Sequence, residues 1–279
     1  MRDAFMKRHA IRIALVTIAF AAAAAIAIGD IAHRATARRL REEILAELQP
    51  VVLKNCTLKR FGSANDGGYV MCENLIEPLD AAYSYGVGPN DDWACEMSRR
   101  YHVPVHQYDC FDPARPTCSG GTFVFHDECV GDRSDHKGSH LFDTLENQIR
   151  KNGDTGRHLI IKMDIEGAEW DSLLAAPEEL LASIPQITME MHGFDNPKIV
   201  EVLRKLKQNF YLVNLHFNNW SCTPKAAPLP AWAYQTHWVN KRIGTLDPAA
   251  PFPAPLSPLN APDSPTWPDC QLHPPRSKP

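Results

Sequence analysis

The 279 residues contain eight cysteines but no Cys-x-x-Cys pair and no ligand spacing of a zinc site, which excludes a zinc ribbon and a thioredoxin-type redox motif. No Gly-x-Gly-x-x-Gly follows any apolar run, which argues against a nicotinamide-dependent oxidoreductase. There is no internal repeat, so a solenoid or propeller is excluded. Positive charge is not in excess either. Lys and Arg number 29 against 33 Asp and Glu, a net charge of -4. A nucleic-acid-binding surface spread over the whole chain is therefore not expected.

What is present falls into unequal parts. Ile13 to Gly29 reads IALVTIAFAAAAAIAIG, 17 residues without a charge. That is long enough to cross a bilayer, where ~17–25 residues are needed. Ala25–Ala27 resembles a small-residue cleavage site, but the run exceeds the ~7–15 residues of a signal core, so an uncleaved anchor is expected. Arg2, Lys7, Arg8 and Arg12 precede it, and Arg34, Arg38, Arg39 and Arg41 follow. Four cations on each side leave the orientation open. Leu40, Ile44 and Leu48 recur at helical spacing before Pro50, as in a stalk between membrane and domain. The 23 prolines crowd the C-terminal end. The stretch after Asp247 is too rich in them to build a core, and its removal is expected to be nearly neutral. The reading is a basic segment 1–12, an anchor 13–29, a helical stalk 30–54, a domain 55–246 and a disordered tail 247–279.

Within 55–246 the chain alternates. Asp66-Gly67-Gly68 marks a turn between two short strands, and Cys56 and Cys72, which bracket it, could pair in an oxidising compartment. Buried free thiols are the alternative. Strands are expected at 81–85, 103–108, 122–126, 158–163, 186–192, 210–217 and 233–240. Helices are expected at 91–101, at 143–153 with Asp143 and Glu146 in capping-box positions, after Glu169, and from Pro197 behind an Asn196 cap. This alternation predicts an open, mostly parallel α/β sheet. The last two strands have only a proline-containing loop between them, which predicts a C-terminal antiparallel hairpin.

In such sheets ligands bind beyond the carboxyl ends of the strands, where the strand order reverses. The chemistry of this sequence collects there. Ser84 and Tyr85 end one strand and lead into Gly86-Val87-Gly88-Pro89, a loop that lets a ligand approach the backbone. Asp109 ends the next strand, with Asp112 close behind, and a carboxylate there can hold a ribose. Asp164 and Glu166 follow IIKM, and Glu190 and His192 end MEMH. Glu169 lies beyond a Gly turn and can cap or begin the next helix.

LIIKMDIEGAEWDSLL resembles the signature segment of the FkbM-type methyltransferases, which runs close to L-K-x-D-[IV]-E-G-x-E. The surrounding pieces RFGSANDGGYVMC, YSYGVGPN, VHQYD, DTLENQI, MEMH and HWVN resemble the wider methyltransferase-like group in the same order, over about residues 55–243. The resemblance implies a class I, Rossmann-like methyltransferase fold with S-adenosylmethionine as cofactor, which the transmembrane helix read at 13–29 would precede. It implies that Ser84, Tyr85, Gly86 and Gly88 line the methionine part, that Asp109 holds the ribose, and that Asp164 lies beside the methyl with Glu166 nearby. Ser84 departs from the pattern, since many methyltransferases carry an acid there. Asp112, in FDP, resembles the ribose motif of some relatives.

Methyl transfer from a sulfonium is an in-line displacement that needs alignment, and a hydroxyl acceptor needs a base. His192 is the first candidate, with Glu190 or Asp164 to orient it. Asp164, Glu166, Glu190 and His192 could instead hold a divalent metal, but no spacing demands one, and none is expected. Nothing in the sequence names the acceptor; a hydroxyl compound such as a sugar or a lipid is expected, at a membrane reached through the N-terminal helix, and no nucleic-acid partner is expected. The alternatives are an inactive scaffold that keeps the fold and, less favoured, a NAD-dependent enzyme.

Overall fold

Successive residues of Leu159–Met163 are buried on opposite faces: Ile160 packs into one apolar cluster and Ile161 into another. A strand covered on both sides belongs to a sheet between two layers. The computed structural model describes residues 33–112 and 114–270. Its helix α1 covers residues 33–47. There follow β1 (Leu58–Gly62), β2 (Gly68–Cys72), β3 (Ala81–Tyr85), α2 (Asp92–Tyr101), β4 (Pro104–Tyr108) and β5 (Thr122–His126). Three short strands come next, β6 (Cys129–Gly131), β7 (Asp135–Lys137) and β8 (His140–Thr144), then α3 (Leu145–Lys151) and β9 (Leu159–Met163). The chain closes with α4 (Glu169–Ala175), α5 (Glu178–Ser183), β10 (Gln186–His192), α6 (Lys198–Asn209), β11 (Phe210–Phe217) and β12 (Ala233–Asn240).

Seven strands form one sheet in the order β11-β12-β10-β9-β3-β4-β5. All neighbours are parallel except β12, which lies antiparallel to both β10 and β11. The antiparallel hairpin expected at the end is present, and the reversed strand β12 is inserted between β11 and the parallel set. The chain starts at β3, moves outward to β4 and β5, then returns to the other side of β3 with β9. The strand order therefore reverses between β3 and β9. One layer of the core uses α3, α4, α6 and α1, with Tyr85, Met163, Trp170 and Leu203 among its buried side chains. The other uses α2 and the β1–β2 hairpin, through Phe61, Met71, Trp93 and Met97. Helix α6 shows why it forms: Ile199, Val202, Leu203 and Leu206 all lie on its buried side.

Three expectations are corrected, and one open alternative is decided. The stalk is no free-standing rod. Ile44 and Leu48 of that stretch are buried in the main core, and Glu43 and Glu47 bind Arg204 of α6. The same apolar spacing that reads as a stalk is the face that docks. Secondly, helix α3 is capped by Thr144, which accepts from Asn147 N at 3.2 Å. Asp143 accepts instead from Thr144 N and the Asn147 side chain. Thirdly, the alternative left open for the cysteines is decided for pairing: Cys56–Cys72 forms as the turn between them suggests, and Cys95–Cys118, Cys110–Cys129 and Cys222–Cys270 complete four disulfides, with none left free.

The fourth concerns the tail. Residues 247–270 run along the domain, and Asp263 and Ser264 are buried. Ser264 N donates to Asn219 Oδ1 at 2.8 Å, Gln235 Nε2 to Asp263 Oδ1 at 2.9 Å, and Asn65 Nδ2 to the Pro262 carbonyl at 2.8 Å. The prolines add little core, but the polar residues between them satisfy amides on β11, β12 and the loop joining them that would otherwise be buried without partners. Removal of the tail is thus not expected to be neutral.

Burial, and next the charge of Asp66, push the Asp263 carboxyl up to about 7, against the opposing pull of Arg60, with Asp269 and Asp164 adding further repulsion. Its Oδ2 has no partner, which suits a protonated acid. The folded chain therefore binds a proton between about pH 4 and 7 that the unfolded chain has released. Stability is full below that window and falls as pH rises through it. Each tenfold change in proton affinity is worth ~1.4 kcal/mol. The melting temperature is expected to drop by several degrees from pH 5 to pH 8, and Asp263→Asn is expected to flatten that drop. An unchanged slope in the variant would remove Asp263 as its cause.

Among the described residues no helix is long and apolar enough to cross a membrane. The expected anchor 13–29, the basic segment 1–12 and residues 271–279 lie outside the described residues.

Candidate active site

Strands β3 and β9 stay paired to Tyr85 and Met163, and one further bond joins Asp164 N to the Tyr85 carbonyl at 3.0 Å. The chain then opens at Gly86, whose φ is 73°. A Cβ at Gly86 would lie 1.5 Å from the Asp164 carbonyl oxygen. Only glycine permits this crossing. At Gly88 a Cβ would meet nothing within 4 Å, so that residue borders open space.

Asp109, at the end of β4, clamps two loops. Its Oδ2 accepts from Val87 N at 3.0 Å, and its Oδ1 from Phe111 N at 2.8 Å and Asp112 N at 2.9 Å. These bonds take three of the roughly four acceptor positions of a carboxylate. Asp112 accepts from Ala114 N at 2.8 Å and faces the same cavity.

Two cavities meet at Gly86 and Asp164. The first, about 490 Å³, has apolar walls from Phe111, Val130, Phe142 and Ile165 and carboxylates at Asp109 and Asp112. The second, about 370 Å³, is polar, with Asp66, Asp91, Lys162 and Ser63 around it. Lys162 is nearly buried within β9 and donates to the Gly86 carbonyl at 2.6 Å, with its Nζ 3.8 Å from Asp164. Tyr69 of β2 donates to the Asp164 carboxylate at 3.2 Å.

Beyond Asp164 lies a cluster of acids around one imidazole. Glu190 and His192 are two apart on β10, so their side chains share a face. Glu169, wholly buried at the start of α4, accepts from Ile165 N at 3.2 Å and holds His192 Nδ1 at 2.7 Å. His192 Nε2 then stands 3.8 Å from Asp164 and 3.7 Å from Glu166. Glu166 is a non-glycine residue with φ 55°, a left-handed conformation that costs roughly 1–2 kcal/mol. Asn218 donates to Glu190 at 2.6 Å, and the Trp232 ring lies 5.9 Å from that of His192. Burial opposes charge on His192, but the bond from Glu169 and the charges of Glu169, Asp164 and Glu190 outweigh it, and its pKa is raised to about 9. Burial first, and then Asp164, raise that of Glu190. The cluster thus favours holding protons.

Of the residues expected from sequence, Tyr85, Gly86, Asp109, Asp112, Asp164 and Glu166 line the first cavity, and Gly86, Gly88 and Asp164 the second. Glu190 and His192 stand beside Asp164. Ser84 is the exception. It is wholly buried inside β3, its hydroxyl has no partner, and it lines neither cavity. One position further inside the strand than Tyr85, it does not reach the open edge. Lys162, Tyr69 and Asn218 were not foreseen; Glu169, expected to cap or begin a helix, does begin α4, and its bond to His192 is the part not foreseen. A lysine inside the apolar run LIIKM was the one visible signal among them. The chain matches no family model and no curated protein.

Proposed function

We propose that the protein is an S-adenosylmethionine-dependent methyltransferase of the class I, Rossmann-like type, acting on a hydroxyl acceptor. The observation that carries this reading is the joining of two unlike cavities at the strand-order reversal. An apolar slot with carboxylates suits a nucleoside, and a polar chamber with both Lys162 and acids suits an amino-acid end. The close crossing of Gly86 on the Asp164 backbone supports the reading in another way, since it holds the two cavities side by side. The resemblance of residues 159–174 to the FkbM-type segment supports the same reading. A dinucleotide fits less well, because Asp91 and Asp92 start α2 where a diphosphate would seek a helix N-terminus free of acids.

Asp109 and Asp112 would hold the ribose, and Lys162 the carboxylate of the methionine part. When bound, the cofactor supplies an electrophilic methyl that leaves the sulfonium as the acceptor oxygen takes it. The chain's part is to align the acceptor and receive its proton. His192 meets the geometric requirement, since Glu169 occupies Nδ1 and leaves Nε2 facing Asp164; with its pKa raised to about 9, only the neutral fraction would receive the proton, so turnover is expected to rise with pH toward 9. The four disulfides support a domain that works where disulfides persist, outside a reducing cytosol. An N-terminal membrane anchor is part of the same proposal.

Calorimetric titration with S-adenosylmethionine and with NAD tests the reading, and binding of NAD alone would end it. A charge-assisted hydrogen bond is worth ~1.5–3 kcal/mol, so loss of a ribose acid is expected to weaken affinity by about one to two orders of magnitude. Asp109→Ala is expected to lower the melting temperature as well, because it releases three backbone amides. Asp112→Ala is expected to lose affinity with little change in melting. His192→Ala is expected to keep cofactor affinity and lose about 10²–10⁴ in turnover. Unchanged affinity in both aspartate variants would remove the ribose site.

A further inference from the structure

Among the described residues, Asp164, Glu190 and His192 are the one group of three whose ligand atoms all lie within 4.8 Å of one another. They come from the ends of two neighbouring strands, β9 and β10. Two further features bear on what fills the space between them.

The first is the state of His192. Its side chain is 8% exposed, and its Nε2 makes no hydrogen bond among the described residues. The nearest acceptors, on Asp164 and Glu166, are 3.8 and 3.7 Å away. That is too long for a hydrogen bond, which needs ~2.7–3.2 Å. It suits two atoms that share a cation: bonds of ~2.0–2.4 Å meeting at ordinary coordination angles separate their ends by roughly 3–4 Å. The ring nitrogen thus lies within 4 Å of two carboxylates and is hydrogen-bonded to neither, which is the placement a shared cation requires.

The second is the support behind the group. Metal-bound histidines characteristically give their other nitrogen to a carboxylate, which fixes the ring and strengthens it as a ligand. Glu169 does this at 2.7 Å and is itself wholly buried. Asn218 fixes Glu190 in the same way at 2.6 Å. A plain ion pair needs neither support.

We propose that Asp164, Glu190 and His192 form a divalent-cation site of the Mn²⁺ type, with Glu169 and Asn218 as positioning residues and Glu166 at its rim. Two carboxylates and one imidazole suit a cation that accepts both oxygen and nitrogen. No thiol stands near to favour a softer ion. The proposal rests on the methyl-transfer reading for its purpose, since a cation there would draw in the acceptor hydroxyl and lower its pKa. In that role His192 is a ligand and no longer the proton acceptor. Its binding test stands apart from the methyl reading.

The test is titration of the oxidised, chelator-treated full chain with Mn²⁺, followed by the loss of the free-ion electron paramagnetic resonance signal. One bound ion per chain is expected. Glu169→Gln is expected to weaken it by ~10–100-fold, the usual cost of losing a supporting residue. Glu190→Gln and His192→Ala are expected to weaken it further. Asp171→Asn, an exposed acid on α4 outside the group, is expected to change nothing. Melting curves identify any variant that fails to fold, and the conservative Glu190→Gln keeps the shape beside Asn218. No stoichiometric binding, or binding unaltered in both Glu190→Gln and His192→Ala, would overturn the proposal. Mn²⁺ binding without S-adenosylmethionine binding would sink the methyl reading and leave the cation site standing. Cofactor binding without Mn²⁺ would do the reverse.

Discussion

Reduction of the four disulfides is expected to leave the chain unfolded at 37 °C. The bridges close intervals of 16, 23, 19 and 48 residues. Chain-entropy arguments give about 3 kcal/mol for each of the shorter loops and about 4 for the longest. Together that is on the order of 10 kcal/mol, as large as the ~5–15 kcal/mol by which a whole domain is stable. The bridges also sit where secondary structure is thin. Cys95–Cys118 ties α2 to the loop before β5. Cys110–Cys129 ties the segment after β4 to β6, and Cys129 borders the first cavity. Circular dichroism melting with and without a phosphine reductant measures the effect. Equal melting temperatures in the two conditions would show that the core suffices without the bridges.

Gly86→Ala is expected to be the most damaging single substitution at the site. The added methyl would stand 1.5 Å from the Asp164 carbonyl oxygen and 2.6 Å from its carbon. Both are backbone atoms, held by the bonds that pair β3 with β9, so neither can swing away. The φ of 73° adds strain for any residue with a Cβ. Separating the strands at this point is expected to cost about 3–5 kcal/mol, at the upper end for single substitutions. At ~2–4 °C per kcal/mol for a domain of this size, the melting temperature should fall by about 6–20 °C. Cofactor binding should vanish with it, because the two cavities meet there. Gly88→Ala is the control, since its methyl would meet nothing within 4 Å. Melting of Gly86→Ala within a degree or two of the parent would contradict the geometry.

Much of the sheet was legible because its strands are strongly apolar and end at turn residues. The spans 81–85, 122–126, 186–192, 210–217 and 233–240 coincide with β3, β5, β10, β11 and β12. The small sheet of β6, β7 and β8 was not. CVGDRSDHKGSHLFDT has no sustained alternation, and strands of three residues leave none to read. The acids at the ligand edge were legible by position alone, since each follows an apolar run. The Glu169–His192 bond was not, because it joins residues 23 apart that only the packing of α4 on β10 brings together. Of the disulfides, Cys56–Cys72 was legible from the turn that it brackets, whereas the other three pairings were closed on combinatorial grounds, as eight cysteines allow 105 connectivities. The tail failed for another reason. Its composition describes what it cannot do alone, whereas Asn260, Asp263 and Ser264 act on partners in β11, β12 and the loop between them.

Both ends of the described chain come to the same rim of the sheet. Arg41 of α1 binds Asp195 at 2.8 Å and lies over the Phe194 ring, just beyond His192. At the other end Cys270 is bonded to Cys222 and contacts the carbonyl of Asn218, the residue that holds Glu190. A fusion partner, affinity tag or surface linkage joined directly at either end of the described stretch, in a chain cut to residues 33–270, would therefore stand beside the candidate site, not behind the molecule. Immobilised protein would present its opening toward the support, and bulky acceptors would meet that obstruction first. An attachment point at the exposed turn of residues 155–157, which precedes β9 and so lies at the opposite edge of the sheet from Asp164, would leave the rim clear.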